Sequence, residues 1–96
     1  MDSNNHYVYM LECADGTYYT GYTNQLEKRL SLHQRGKGAK YTRGRSPVEL
    51  VYKNAFRSKG EALKEEYRIK QLTRKQKEQL IREGNNAYED ATELSE

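Results

Sequence analysis

The sequence predicts an α+β domain: a small three-stranded antiparallel sheet flanked by helices, in the order ββαβαα. Three observations predict it. Two runs rich in β-forming residues, YVYMLEC and YYTGYT, sit on either side of an Ala14-Asp15-Gly16 turn signal. A third such run follows Pro47. Three further segments each open on a helix-capping pair: Asn24 with Glu27, Ser58 with Glu61, and Thr73 with Gln76.

Taken in order, Tyr7 to Cys13 is the first strand and Tyr18 to Thr23 the second, joined as a β-hairpin. A two-residue Asp-Gly turn would put Tyr9 and Tyr19 on opposite faces. A three-residue loop, with Gly16 in the left-handed conformation, puts them on the same face. The second register is the one expected. A helix follows over residues 25–34, with Leu26, Leu30 and His33 on one face and Arg29 beside them. Residues 35–45, RGKGAKYTRGR, hold five bases, three glycines and no acid, and read as a loop. The third strand spans about Glu49 to Phe56. A second helix runs from Ser58 to about Leu72, and a third from Thr73 to a stop at Gly84. The expected organisation is a disordered segment at 1–6, a domain at 7–84 and an acidic, disordered tail at 85–96.

The chain has 96 residues, 34% of them hydrophobic, and a mean hydropathy of −1.18. That suits one domain with a thin core. Nine of the ten aromatics are Tyr, so apolar area and hydroxyl groups arrive together. No stretch is long and apolar enough for a membrane span, and no signal peptide is evident, so a cytoplasmic location is expected. A lone Cys13 excludes an internal disulfide and a cysteine-based zinc site. The net charge of +3 conceals an asymmetry: all 17 Lys and Arg precede residue 83, while five acids and no base follow Arg82. A cationic body suggests a polyanionic partner, nucleic acid first.

Two charged residues sit oddly. On a helical wheel at about 100° per residue, Ala62, Leu63, Tyr67, Ile69 and Leu72 form one apolar arc. Glu66 falls in its middle and Glu65 at its edge. A carboxylate there costs free energy unless paired. It is either ion-paired, with Lys70 four residues on as the partner, or a functional acid such as a metal ligand. Arg29 flanks the apolar face of the first helix. Either its stem packs while its head reaches solvent, or its guanidinium binds phosphate.

These residues form a pattern. The chain resembles the GIY-YIG nuclease superfamily. The first motif corresponds to Tyr7-Val8-Tyr9, with Tyr7 where the family usually has Gly, and the second to Tyr19-Thr20-Gly21. The string YTGYTNQLEKRLSLH puts Arg29 and His33 at the family's Arg and His/Tyr positions. EALKEEYRIK is similar to the family's acid-bearing helix, with Glu66 at the metal-binding acid. Residues 36–50, GKGAKYTRGRSPVEL, are similar to the small stand-alone bacterial members. The family's Asn beyond the acidic helix has no match, since only Asn85 and Asn86 follow.

The resemblance implies a three-stranded antiparallel sheet and metal-dependent hydrolysis of DNA phosphodiesters, as in DNA-repair nucleases, homing endonucleases and restriction enzymes. One Mg2+ or Mn2+ ion would be held by Glu66. Tyr9 or Tyr19 would serve as general base, its pKa of about 10 lowered by nearby cations. Arg29 would neutralise charge on the phosphate, and His33 would hydrogen-bond in the site or relay a proton. Arg35, Lys37, Lys40, Arg43, Arg45 and Lys70 would contact the nucleic-acid backbone, and Tyr41 would stack on a base or anchor the loop. A nucleic-acid-binding module with little or no cleavage is the alternative, and a protein-interaction domain the third reading. With no extra DNA-binding domain expected, targeting is expected to come from this domain itself or from a protein partner.

Overall fold

A computed structural model describes residues 5–36 and 47–94, with side chains described through Gly84. The elements follow the expected order: β1 (His6–Glu12), β2 (Tyr18–Thr23), α1 (Leu26–Gln34), β3 (Glu49–Phe56), α2 (Lys59–Lys70) and α3 (Arg74–Leu94). The three strands form one antiparallel sheet in the order β2-β1-β3, so β1 is central.

The hairpin adopts the three-residue loop. Tyr9 pairs with Gly21 and Leu11 with Tyr19, and Cys13 N–H donates to the Thr17 carbonyl at 2.8 Å. Gly16 sits at φ 85°, the left-handed conformation that this loop requires. Between β1 and β3 the register shifts once: Met10 pairs with Tyr52 but Leu11 with Leu50, leaving Val51 as the extra residue of a bulge. Leu50 therefore joins Leu11 on one face, while Val51 packs with Val8 and Met10 on the other.

Helix starts match the sequence in two cases of three. The Ser58 hydroxyl accepts from Glu61 N–H at 3.1 Å. Thr73 and Gln76 form a reciprocal capping box at 2.9 and 3.2 Å. The Asn24–Glu27 pair does not cap α1. Gln25 is the N-cap, with no side-chain cap bond. Instead the Thr23 hydroxyl accepts from Gln25 N–H at 2.9 Å, so the turn is fixed at the end of β2 rather than at the helix start. α3 also continues past Gly84 to Leu94. A single helical glycine costs about 1 kcal/mol relative to alanine, and that alone does not end a helix. A Cβ on Gly84 would meet the Tyr52 ring at ordinary contact distance, 3.5 Å.

The sheet is the middle of three layers. Val8 and Met10 pack with Ala62 and Ile69 of α2, joined by Leu80 and Ile81 of α3. Tyr9, Leu11, Cys13 and Val48 pack with Leu26 and Leu30 of α1. Each fully buried aliphatic side chain contributes about 1.5–3 kcal/mol. Arg74 ties the layers together at one end. Its guanidinium lies 4.7 Å from the Tyr18 ring centroid and donates to the Gly16 carbonyl at 2.7 Å. No helix among the described residues is long and apolar enough to cross a membrane.

Candidate active site

Tyr9 is the hub. Its place on the central strand, facing α1, leaves it fully buried. Its hydroxyl is hydrogen-bonded to His33 Nε2 at 3.0 Å, and His33 is itself fully buried on α1. Tyr19, on the edge strand β2, completes a triangle of rings. Its centroid lies 6.2 Å from Tyr9 and 5.4 Å from His33, and Tyr9 and His33 are 5.8 Å apart. A further hydrogen bond joins the Tyr9 and Tyr19 hydroxyls.

Charges from two helices act on this triangle. Arg29 is exposed one turn before His33. Its guanidinium acts on the ionisation of both Tyr9 and His33, and the Glu66 carboxylate acts on that of Tyr9. The hub is thus within electrostatic reach of a cation from α1 and an anion from α2.

The expectation that nearby cations lower the tyrosine's pKa fails for Tyr9. Burial raises it well above 10, helped by the neighbouring Tyr19, and the opposing pull of Arg29 is smaller. Tyr9 therefore holds its proton. His33 moves the other way: burial first, then Arg29, lowers its pKa below 6.5 and keeps the imidazole neutral. The Tyr9–His33 bond is a contact between two neutral groups.

Glu66 is not in the middle of a buried stripe. Ala62 and Ile69 are buried, but Leu63 and Tyr67 are 40% and 69% exposed, so Glu66 lies at the rim of the covered face. Its side chain is 18% exposed and pairs with Lys70 Nζ at 3.1 Å; the lysine side chain is 51% exposed. Such a helical pair is worth a few tenths of a kcal/mol, so it yields readily to a stronger cation. Among the described residues no group of three or more His, Cys, Asp or Glu could hold a metal ion. A single hard carboxylate at a rim fits magnesium, which is bound through one or two carboxylates and completed by phosphate and water. Glu65, at the edge of the arc, is held by Arg68 at 2.6 Å.

Arg35 is exposed as the C-cap of α1. Lys37, Lys40, Tyr41, Arg43 and Arg45 lie outside the described residues. Tyr7 lines a groove between α1 and β3 together with Leu26, Leu30, Leu50 and Lys53.

Gly21 belongs to the second sequence motif, and its role comes from the structure. A Cβ there would lie 2.7 Å from the Tyr9 hydroxyl oxygen and 3.0 Å from a Tyr19 ring carbon. Only glycine lets both rings lie over this strand. The signal was available: in the register that places the tyrosines on one face, Gly21 stands directly opposite Tyr9.

Comparison with known proteins follows this geometry. Residues 5–79 match the GIY-YIG catalytic domain. The chain is 55% identical over 91 residues to the UPF0213 protein BH0048 of Halalkalibacterium halodurans, covering 95% of this chain and 97% of that one. It is 51% identical over 89 residues to the UPF0213 protein YazA of Bacillus subtilis, covering 93% and 90%. The solution NMR structure of BH0048 from Bacillus halodurans superposes with a TM-score of 0.58 at 54% identity, over 94% of this chain and 96% of that one. That of EF2693 from E. faecalis gives 0.57 at 48% identity, over 80% and 82%. With a family match over residues 5–79 and relatives more than half identical over nearly the whole chain, the chain belongs to the GIY-YIG family.

Proposed function

We propose that this protein is a divalent-metal-dependent endonuclease that hydrolyses DNA phosphodiester bonds, in structure-specific repair or processing. One observation carries the reading: Tyr9 feels Tyr19, Arg29 and Glu66 together while bonded to His33. Two phenols and an imidazole in contact, with a guanidinium and a carboxylate within electrostatic reach, match the needs of phosphoryl transfer to water.

Magnesium or manganese, when bound, supplies a Lewis acid that polarises the phosphate and activates water. Glu66 would hold it, exchanging its weak pair with Lys70, which is then free for the DNA backbone. Arg29, exposed and always charged, neutralises the developing charge on the phosphate; removing a comparable group costs about 10²–10³ in kcat. Tyr19 is the more exposed of these two phenols and would take the attacking water. Tyr9 stays protonated overall, giving one proton as it takes another, and acts behind Tyr19. The water's proton passes to the Tyr19 oxygen, the Tyr19 proton to Tyr9, and the Tyr9 proton to the neutral His33 Nε2. The basic segment 35–45 follows the phosphate backbone without reading sequence.

The Glu66–Lys70 ion pair is the feature that favours a binding module with little or no cleavage. One experiment separates the readings: purified protein on branched, flapped and single-stranded DNA with magnesium or manganese. Cleavage is expected, lost in Glu66→Gln with binding retained, and reduced about 10²–10³-fold in Arg29→Ala. Binding without cleavage by the unsubstituted protein would overturn the enzyme reading in favour of the binding module. No salt-dependent binding at all would overturn both in favour of a protein-interaction domain.

A further inference from the structure

α2 carries two apolar side chains that the fold leaves uncovered. Leu63 is 40% exposed and Tyr67 69% exposed, four residues apart and so adjacent on the helix surface. Single exposed apolar residues are ordinary. This pair is distinguished by its neighbours. Tyr67 directly follows Glu66, and Leu63 lies one turn before Glu66, on the same face. Lys64 and Lys70, both exposed, stand three residues to either side of Tyr67. Lys70 is the same residue that pairs with Glu66. An uncovered phenol, with an exposed leucine one turn before it and a lysine three residues to either side, therefore stands next to the proposed metal-binding carboxylate on α2.

The chemistry of that patch selects its occupant. Two lysines at one ring call for a polyanion, and a flat aromatic face calls for another π-system. An unpaired nucleotide offers both. Bases inside a continuous duplex have their faces covered by their neighbours in the stack, so intact double-stranded DNA offers only the charge.

We propose that Tyr67, with Leu63 one turn before it, is a stacking platform for an unpaired nucleotide next to the phosphate engaged at Glu66 and Arg29. The inference rests on the nuclease reading and adds to it the substrate class: DNA with a single-stranded nucleotide beside the cut, as in a flap, a gap or a free strand. Lys64 and Lys70 hold the flanking phosphates. Because a stacking platform tolerates any base, the selection is for strand structure and not for sequence.

The test is fluorescence anisotropy in EDTA with labelled oligo(dT) and, separately, a labelled blunt duplex. Tyr67 is exposed and alanine is a better helix former, so Tyr67→Ala is expected to fold; circular dichroism checks this. Tyr67→Ala is expected to weaken oligo(dT) binding about 5- to 150-fold, the range spanned by one base–aromatic stack, and to leave duplex binding unchanged. Tyr67→Phe keeps the ring and is expected to retain oligo(dT) affinity. The inference is overturned by unchanged oligo(dT) affinity in Tyr67→Ala, by a parallel loss on both DNAs, by a Tyr67→Phe loss equal to that of alanine, or by an unsubstituted protein that binds neither. Cleavage of flapped DNA, measured alongside, keeps the two readings apart. Cleavage with no Tyr67 effect on binding sinks the platform alone. Tyr67-dependent strand binding without cleavage under magnesium or manganese sinks the hydrolytic reading alone.

Discussion

β1 presents two faces built on different principles. Val8 and Met10 point toward α2 and α3 and meet Ala62, Ile69, Leu80 and Ile81. Tyr9, one residue along, points toward α1 and meets His33 and Tyr19. The first face is held by apolar burial, which tolerates small shifts. The second buries a phenol and an imidazole, whose bond must be made because an unmade one costs about 1–3 kcal/mol. Alternation along one strand thus gives one face an apolar seat for α2, the helix that carries Glu66, and the other a buried phenol–imidazole pair set among apolar neighbours. The burial that holds the fold together also moves the pKa values of Tyr9 and His33 in opposite directions.

The largest expected effect breaks the apolar side. Ile69 is fully buried. Ile69→Ala should lower stability by about 2–5 kcal/mol, read as a lower urea midpoint with unchanged slope. Because Ile69 seats the helix that carries Glu66, the cleavage rate of the fraction still folded reports whether the sheet alone holds α2 in place. A loss under about 1 kcal/mol would show that this cluster is not the main source of stability.

Gly21→Ala strikes the phenol–imidazole side. The new methyl would lie 2.7 Å from the Tyr9 hydroxyl oxygen and 3.0 Å from a Tyr19 ring carbon, so both must shift. The expected cost is about 1–3 kcal/mol of overpacking. Cleavage should fall further than stability does, because the displaced groups are the phenols. Urea unfolding and cleavage rates on one preparation check both. Equal fractional losses would mean that Gly21 serves folding alone.

How far the sequence could anticipate this division depends on what each signal reports. The hairpin register was legible because a three-residue loop with a left-handed glycine admits one pairing, and that pairing puts Tyr9 and Tyr19 together. The caps at Ser58 and Thr73 were legible because a side chain and a backbone N–H three residues apart are a local matter. Burial is not local. Nothing in the chain order says that β1, rather than β2, takes the centre of the sheet, so the unequal burial of Tyr9 and Tyr19 could not be read. A helical wheel likewise reports which residues share an arc and not how much of it a narrow sheet will cover. The wheel therefore groups Leu63 and Tyr67 with the core and puts Glu66 at its centre, whereas the packing of α2 leaves both apolar residues exposed.

The smallest effect sharpens the comparison most, since it concerns one proton. His33 is buried beside Arg29 and holds a pKa below the ordinary 6.5. The unfolded chain takes up that proton near pH 6.5, and the folded chain only at lower pH. The contribution of the neutral imidazole to stability is therefore complete above about pH 6.5 and is lost as pH falls through the folded value. An NMR titration of the His33 ring should give a midpoint below about 6.5. Cleavage should lose its acid limb over the same interval, because a protonated Nε2 can no longer accept from Tyr9. A His33 midpoint at or above 6.5 would mean that solvent or a nearby anion reaches the ring, and a proton path ending on this imidazole could not stand. A low midpoint with a cleavage rate flat across it would leave His33 as a packing partner of Tyr9 and move the base to Tyr19 alone.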